Sequence, residues 1–192
     1  MKKQILVYIP EHDLKRKQVI QTMKSLIDQV IEIKPIDFNQ TLGFLSQREG
    51  FKETTTPVNQ DYPQAILIMD QLEDREISLL LTKLREQGTP FEGPKAIVTQ
   101  HNQTWSIDAL YHELMKEHEF FAYYDKINES LKRANALNKE DYEVNSWNEY
   151  QQTFLNAFIL IKSQTPEFDQ VKKTYEDLIE KEQKLVKIHQ NI

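Results

Sequence analysis

The chain has 192 residues and a formal net charge of −6, from 24 Lys and Arg against 30 Asp and Glu. This acidic balance argues against non-specific binding to nucleic acid or to an anionic membrane, both of which need a basic face. Cysteine is absent, which excludes disulfides, thiol catalysis and zinc–thiolate sites. The apolar run Ile5–Ile9 is too short for a signal peptide, and no apolar stretch reaches the ~18 residues of a membrane span. We therefore expect a soluble, cytoplasmic protein that does not enter a membrane.

The first strand and helix follow at once from the N-terminal pattern. The β-branched run Gln4–Ile9 predicts a strand that Pro10 ends. An amphipathic helix comes next, because apolar residues recur at spacings of 3, 4 and 3 at Ile20, Met23, Ile27 and Val30. A second strand over Ile31–Ile36 contains Pro35, and we expect it near a sheet edge because proline cannot donate to the ladder.

A second strand–helix–strand pattern follows a long connection. The connection holds a short helix or turn over Thr41–Gly50 and a polar loop over Phe51–Asp61. Ala65–Met69 is a continuous apolar run, typical of a strand buried on both faces. A helix starts near Asp74 and stops at Gly88, and Lys95–Thr99 forms the fourth strand.

The spacing of these elements predicts the fold of the N-terminal part. Successive strands begin about 30 residues apart, which is the size of a βαβ unit. Crossovers of this length feed parallel pairing. We therefore predict an α/β fold with a small, mostly parallel four-stranded sheet and flanking helices. A split, ferredoxin-like sheet is the alternative.

The C-terminal part is predicted to be helical, because beyond Pro94 the chain has no glycine and one proline, Pro166. A first helix runs from about Ser106 to Leu137. A second opens at Ser146, with Glu149 completing a capping box, and a third follows an N-cap at Thr165. Three amphipathic helices with short connections predict an antiparallel bundle. We place an α/β domain at 1–118 and a three-helix bundle at 119–192, joined by one continuous helix.

One segment carries a specific motif. It reads Lys95-Ala96-Ile97-Val98-Thr99-Gln100-His101-Asn102-Gln103-Thr104-Trp105-Ser106, and Glu117-His118-Glu119 closes it. With the strand and helix before it, this pattern makes residues 65–119 resemble a bacterial domain family of unknown function. The resemblance implies a strand, a loop and a helix, and it brings no established activity.

The helical part has a likeness of its own. The segment from Ala136 to Trp147, Ala-Leu-Asn-Lys-Glu-Asp-Tyr-Glu-Val-Asn-Ser-Trp, resembles the turn before the second helix of three-helix repeats in Gram-positive surface proteins and glycosidases. Over residues 120–189, the resemblance implies a three-helix bundle. The adhesive or spacer role of those repeats is not carried over.

Polar residues at the ends of the predicted strands form the candidate site. Ligands of open parallel sheets bind beyond the carboxyl ends of the strands. Those ends supply Glu11, His12 and Asp13 after the first strand, Asp70 after the third, and Thr99, His101, Asn102 and Trp105 after the fourth. One interpretation is a ligand-binding rim. The interpretation that we favour is structural, with Asn102 bonding the turn, Ser106 capping the long helix and Trp105 packing on the sheet.

Other chemistries find little support in the sequence. His112 and His118 lie six residues apart on a helix, so they face different sides and do not form a metal pair. No strand is followed by a glycine-rich phosphate loop, and no serine has the glycine neighbours of a nucleophile elbow. Acids after strand one, Asp70 and Thr99 resemble a phospho-acceptor receiver only faintly, because no fifth strand supplies its lysine. We predict no cofactor and no metal.

These observations favour a non-enzymatic interaction or regulatory module that binds another protein and not nucleic acid or membrane. The alternative is a small-molecule-binding domain or weak hydrolase that uses the Thr99–Asn102 rim. The sequence leaves the ligand, the partner and the oligomeric state open.

Overall fold

Four strands form one mixed sheet in the N-terminal half of the computed structural model, which describes residues 2–56, 60–163 and 166–188. The strands are β1 (Gln4–Tyr8), β2 (Gln29–Glu32), β3 (Ile66–Asp70) and β4 (Lys95–Ile97), in the order β2-β1-β3-β4. The pairs β1–β2 and β3–β4 are parallel, whereas β1 and β3 run antiparallel. The predicted four-stranded, mostly parallel sheet is therefore confirmed, with an antiparallel pair at its centre.

The structure corrects several details of the predicted helices and strands. Helix α1 (Arg16–Leu26) is shorter than the apolar spacing indicated, because Val30 belongs to β2. Strand β2 lies at a sheet edge as expected, but the predicted bounds Ile31–Ile36 are wrong: β2 spans Gln29–Glu32, and Pro35 begins the 3₁₀ turn that follows it. The ferredoxin-like alternative is wrong, since in each half the two strands joined by a helix are direct neighbours and no βαβ unit is split.

Each face of the sheet is covered by a different set of elements. Helix α1 and helix α3 (Asp74–Glu86) cover one face, where Met23 and Leu84 lie fully buried against β1 and β3. The other face is covered by a 3₁₀ turn (Pro35–Asn39), the short helix α2 (Leu42–Leu45) and the start of helix α4 (Ile107–Ala134). Both faces of β1 and β3 are thus buried, which accounts for their continuous apolar runs.

The two halves of the sheet repeat one another in their backbone hydrogen bonds. After β2, the Ile33 amide donates to the Val7 carbonyl at 2.9 Å, and after β4 the Val98 amide donates to the Met69 carbonyl at 2.9 Å. A 3₁₀ turn follows in both halves, Pro35–Asn39 in the first and Asn102–Thr104 in the second. A helix that begins after a hydroxyl residue follows each turn. Thr41 accepts from the Phe44 amide at 3.2 Å, and Ser106 accepts from the Ala109 amide at 3.1 Å.

Reciprocal bonds join the repeated halves. The Leu42 amide donates to the Trp105 carbonyl and the Ile107 amide donates to the Gln40 carbonyl, both at 2.9 Å. Between them, Thr41 and Ser106 form an antiparallel bridge. In the sheet, Leu6 pairs with Ile68 at the middle of β1 and β3. The α/β part is thus a tandem pair of βαβ–turn–helix units related by an approximate two-fold axis at this central strand pair.

The chain is divided into two compact units, which comprise residues 1–115 and residues 116–192. In the second unit, α4 is followed by α5 (Val144–Lys162) and α6 (Phe168–Gln183). Large and small apolar side chains interdigitate in the core of this unit, where Ile127, Tyr150, Ala157, Val171 and Leu178 are buried. The segments that flank α5 and α6 also pair, because Glu143 donates its amide to the Val186 carbonyl at 2.8 Å.

The predicted helix starts in this unit need correction. Helix α5 begins at Val144, so Ser146 lies inside the helix and the capping box with Glu149 is wrong. The Ser146 hydroxyl instead accepts from the Val186 amide at 3.2 Å and donates to the Glu143 carbonyl at 3.1 Å. Thr165 lies outside the described residues, and α6 begins at Phe168, two residues beyond Pro166.

Substitution of Gly93 tests the close packing between the segments that precede β3 and β4. A Cβ at this position would lie 2.2 Å from the carbonyl oxygen of Ala65, a backbone atom that does not move aside freely. We expect Gly93→Ala to lower the free energy of unfolding by about 1–3 kcal/mol, as overpacking does in ordered regions. Urea unfolding measures the loss. Exposed Glu92 is the control, and Glu92→Ala changes stability by less than ~0.5 kcal/mol; equal losses at both positions would refute the close contact.

Candidate functional site

The turn after β4 uses the Asn102 side chain for its own hydrogen bonds. The Asn102 Oδ1 accepts from the Thr99 amide at 2.8 Å, and its Nδ2 donates to the Ile97 carbonyl at 2.9 Å. The Thr99 hydroxyl in turn accepts from the Asn102 amide at 3.2 Å. Both polar ends of the Asn102 side chain and the Thr99 hydroxyl are therefore engaged inside the turn.

The equivalent turn of the first half makes the same use of Asp37. Its Oδ2 accepts from the Lys34 amide at 2.8 Å, as Asn102 accepts from Thr99. Each residue also accepts on its backbone carbonyl, Asp37 from the Gln40 amide at 2.9 Å and Asn102 from the Trp105 amide at 3.0 Å. Because two unlike sequences need an acceptor at this position, the repeat supports the structural interpretation of Asn102.

His101 and Trp105 differ in how firmly they are held. The His101 side chain is exposed, and its ring meets the Trp105 ring edge-on with centroids 5.4 Å apart. Trp105 is partly buried against the sheet core, and its carbonyl holds the Leu42 amide. Trp105 therefore packs as predicted, whereas His101 makes no hydrogen bond through its ring among the described residues.

Asp70 ends β3 with a fully buried carboxylate. Its Oδ1 accepts from the Arg48 guanidinium at 2.8 Å, and its Oδ2 accepts from the Gln4 side-chain amide at 2.9 Å. Arg48 reaches onward to the Gln103 side chain at 3.0 Å. This network connects Asp70 to the 3₁₀ turn at Asn102–Thr104, but through residues that the sequence prediction did not include.

Backbone strain flanks the Asp70–Arg48 pair. Gln47, which precedes Arg48, has a φ of 55°, and Gln71, which follows Asp70, has a φ of 61°. Residues with a Cβ rarely adopt this left-handed conformation, which costs about 1–3 kcal/mol at each position. The buried ion pair and its hydrogen bonds hold both segments in place. No feature of the sequence marks these positions, since glutamine has no preference for positive φ.

The carboxylate of Asp70 has little capacity left for chemistry. Both of its oxygens are hydrogen-bonded, and the side chain is closed to solvent. Two nearby polar atoms, Arg48 Nε and Ser46 Oγ, are buried and have no partner among the described residues. Such a buried pair fixes a local arrangement, and its loss is costly because either charge alone would remain desolvated.

The residues after β1 do not join this site. Because β1 and β3 are antiparallel, the end of β1 pairs with the start of β3, and Tyr8 lies opposite Ile66. Glu11, His12 and Asp13 therefore follow β1 at the edge opposite to Asp70, Thr99 and Asn102. The expectation that all strand ends share one rim is therefore wrong. The faint likeness to a receiver site also fails, because Glu11 and Asp13 do not lie at the same end of the sheet as Asp70 and Thr99.

A cavity of about 360 Å³ lies at the β1 end instead. Its polar lining includes His12, Asp13, Lys15 and Glu92, and its apolar lining includes Phe91. The Asp13 carboxylate already accepts from the Lys15 amide at 2.8 Å.

No group of three or more histidine, aspartate or glutamate side chains suited to a metal ion occurs in residues 2–56, 60–163 and 166–188. No helix in that part of the chain combines the length and hydropathy needed to cross a membrane.

Fold and site together define a tandem α/β unit, in which Asp70 and Asn102 are bonded to groups of the same unit, followed by a three-helix unit. A family model described as a domain of unknown function, DUF3783, matches residues 65–121. This match confirms the predicted resemblance of residues 65–119 to an uncharacterised domain family, while the likeness of residues 120–189 to three-helix repeats stays a prediction. No curated protein and no solved structure matches the chain. The matched segment begins just before β3 and extends into α4, so it contains the second half of the tandem pair.

Matched substitutions in the two turns test the structural role of Asn102. We expect Asp37→Ala and Asn102→Ala each to lower the free energy of unfolding by about 1–2 kcal/mol, because each removes a side-chain acceptor for a turn amide. The positions one residue earlier are the controls. Ile36→Ala and His101→Ala remove exposed side chains and should change stability by less than ~0.5 kcal/mol. Denaturant unfolding of the four variants decides, and a loss at Asp37 beside a neutral result at Asn102 would favour a ligand-binding rim.

A double-mutant cycle tests the Asp70–Arg48 pair. Arg48→Met leaves the Asp70 carboxylate buried without its cation, and we expect a loss of about 3–5 kcal/mol. Adding Asp70→Asn removes the stranded charge, so the double variant should be more stable than the sum of the single effects predicts. The matched surface control is Lys3→Met, which breaks an exposed pair with Glu76 and should cost at most ~1 kcal/mol. Additive losses at Arg48 and Asp70 would contradict the coupling.

Proposed function

We propose that the chain is a non-enzymatic, cytoplasmic interaction module and that its helical unit binds a partner protein. The observation that carries the proposal is an exposed apolar row on α5. Leu155, Phe158 and Ile159 remain 45%, 46% and 66% exposed. We refer to these three residues as the α5 row.

Their spacing makes the α5 row a continuous surface. Leu155 and Ile159 are four residues apart and Phe158 is three residues from Leu155, so the three side chains adjoin on one helix face. Single exposed apolar residues are ordinary on protein surfaces. A contiguous apolar patch beside polar residues is typical of an interaction site.

The chemistry of the α/β unit favours binding over catalysis. Asp70 is enclosed by Arg48 and Gln4, and Asn102 bonds the backbone of its own turn. A general base needs a lone pair that can reach a substrate. The alternative of a hydrolase at the Thr99–Asn102 rim has no comparable observation in its favour, because its polar groups already serve the turn.

A charge introduced into the α5 row tests the proposal. We expect the double variant Leu155→Lys/Ile159→Lys to retain at least tenfold less of a specific partner than the unmodified chain, because an ammonium group would then be forced against an apolar partner surface. The measurement is affinity capture from a lysate of the source cells, with partners quantified by mass spectrometry. Gln152→Lys on the same helix is the control, since Gln152 is already polar and exposed.

Two results would overturn the proposal. Capture that is equally strong with the double variant and with Gln152→Lys would show that the α5 row binds no partner. Analytical ultracentrifugation gives the second result. If the unmodified chain is a dimer and the Leu155→Lys/Ile159→Lys variant is a monomer, a second copy of the chain covers the α5 row. Circular dichroism and the unfolding midpoint of each variant establish that the helical unit remains folded.

A further inference from the structure

The cavity of about 360 Å³ at the end of β1 lies where three segments of the α/β unit meet. They are the β1–α1 connection, the residues before β3 and the residues before β4. Each segment contributes one proline to the wall, Pro10, Pro63 and Pro90, and a proline ring fixes the backbone angle φ. The Asp13 amide also donates to the Pro10 carbonyl at 3.1 Å. The walls of this cavity, which we call the β1-end cavity, are therefore fixed in the free chain.

The lining of the β1-end cavity combines apolar and charged side chains. Its apolar part includes three buried residues of the core between the sheet and its helices, Ile9, Val19 and Phe91. Its charged part consists of exposed Asp13, Lys15 and Glu92. The volume lies at the lower end of the range for ligand sites, ~300–1,000 Å³. The cavity therefore has room for a small molecule with an apolar body.

The charged side chains of the β1-end cavity do not pair with one another. The ion pairs that the structure describes in the α/β unit involve other cations, Lys3, Arg16, Lys24, Arg48, Lys83 and His112. The Asp13 Oδ1 accepts from the Lys15 backbone amide, and the Lys15 ammonium bonds neither Asp13 nor Glu92 among the described contacts. Charges of both signs thus line one cavity without neutralising each other.

At the opposite end of the sheet, the corresponding charges are paired within the chain. The approximate two-fold axis at the centre of the β1–β3 pair relates Lys3, before β1, to Ala65, before β3. The Lys3 ammonium contacts the carboxylate of Glu76 at 2.8 Å and that of Glu73 at 3.6 Å. An ammonium group paired with two carboxylates therefore lies at this end.

The β1 end has two carboxylates but no ammonium group paired with them. Ala65 lines the β1-end cavity where its counterpart is a lysine, and Asp13 and Glu92 line the same cavity. The connection is also longer at this end, since residues 9–15 join β1 to α1 whereas residues 71–73 join β3 to α3. The short side chain of Ala65 and the long connection leave space for a ligand that brings its own ammonium group.

Three features of the lining together specify the class of ligand. Two carboxylates suit an ammonium group, and Lys15 suits a carboxylate. The buried apolar side chains suit an apolar substituent. We propose that the β1-end cavity binds a free α-amino acid with an apolar side chain, whose ammonium group faces Asp13 and Glu92 and whose carboxylate faces Lys15. This site belongs to the α/β unit and goes beyond the proposed function of the α5 row.

Calorimetric titration of the full chain with L-valine, L-leucine and L-phenylalanine tests the site. The tightest of the three is then compared with the two analogues that lack its carboxylate or its ammonium group; for leucine these are 3-methylbutylamine and 4-methylpentanoate. We expect saturable binding of the amino acid. Both analogues should bind at least about tenfold more weakly, because each loses the hydrogen bonds of one charged group.

Substitutions that remove charge assign the two ends of the ligand. Asp13→Asn keeps an acceptor for the Lys15 amide, and we expect Asp13→Asn/Glu92→Gln to weaken the amino acid at least about tenfold. Lys15→Gln should weaken it to a similar extent. Glu11 and Lys17 are exposed neighbours that do not line the cavity. Glu11→Gln and Lys17→Gln are therefore the matched controls and should leave binding unchanged.

Three results would overturn the inference. The first is that none of the three amino acids binds saturably up to about 10 mM. The second is that an analogue lacking one charged group binds as tightly as the amino acid itself. The third is that the control variants weaken binding as much as the cavity variants do. Circular dichroism and the unfolding midpoint of each variant establish that the α/β unit remains folded.

Discussion

The antiparallel pairing of β1 with β3 determines where every other part of the α/β unit lies. Leu6 faces Ile68 at the centre of this pair, and both strands are buried on both faces. Each strand then takes a parallel neighbour through its own helix, β2 through α1 and β4 through α3. The crossed bonds of the Gln40 and Trp105 carbonyls repeat the same symmetry on the face covered by α2 and α4. Because β1 and β3 run in opposite directions, the carboxyl ends of the strands in the two halves lie at opposite ends of the sheet.

The two strand ends carry different side chains at corresponding positions. Tyr8 ends β1 as Asp70 ends β3. Asp70 lies in a polar network, whereas Tyr8 donates its hydroxyl to the Tyr62 carbonyl at 2.9 Å and meets Phe38 edge-on. Phe38 stacks on Tyr62, and burial raises the pKa of the Tyr62 hydroxyl, which donates to Asp108 at 2.7 Å. An ion pair holds the end of β3, and aromatic rings hold the end of β1. The cavity of about 360 Å³ lined by His12, Asp13 and Lys15 lies at the β1 end.

Local patterns in the sequence predicted what local interactions decide. The apolar run Ala65–Met69 gave the position of β3, and the bond between Thr99 and Asn102 spans three residues, so both were predictable. The two parallel pairs were also predictable, from the length of the crossovers, but the antiparallel pairing of β1 with β3 was not, because parallel and antiparallel pairing bury the same side chains. The Asp70–Arg48 pair was missed because Asp70 ends β3 whereas Arg48 lies 22 residues earlier, after α2, and neither has a distinctive neighbour in the sequence. Ser146 misled for the same reason, since its hydroxyl serves the distant Val186 amide and not a helix cap.

The family match covers one half of the tandem arrangement. Residues 65–121 contain β3, α3, β4 and the start of α4. In those residues alone, β3 would have an apolar edge without a partner, and exposed edges of this kind pair with other chains. Here β1 occupies that edge, and Gln4 satisfies Asp70 from across the pairing. The first half therefore supplies to the matched segment both a strand and a side-chain donor that the segment lacks. In the α/β unit the neighbouring edges of β1 and β3 pair with each other, and Asp70 and Asn102 bond groups of the same unit.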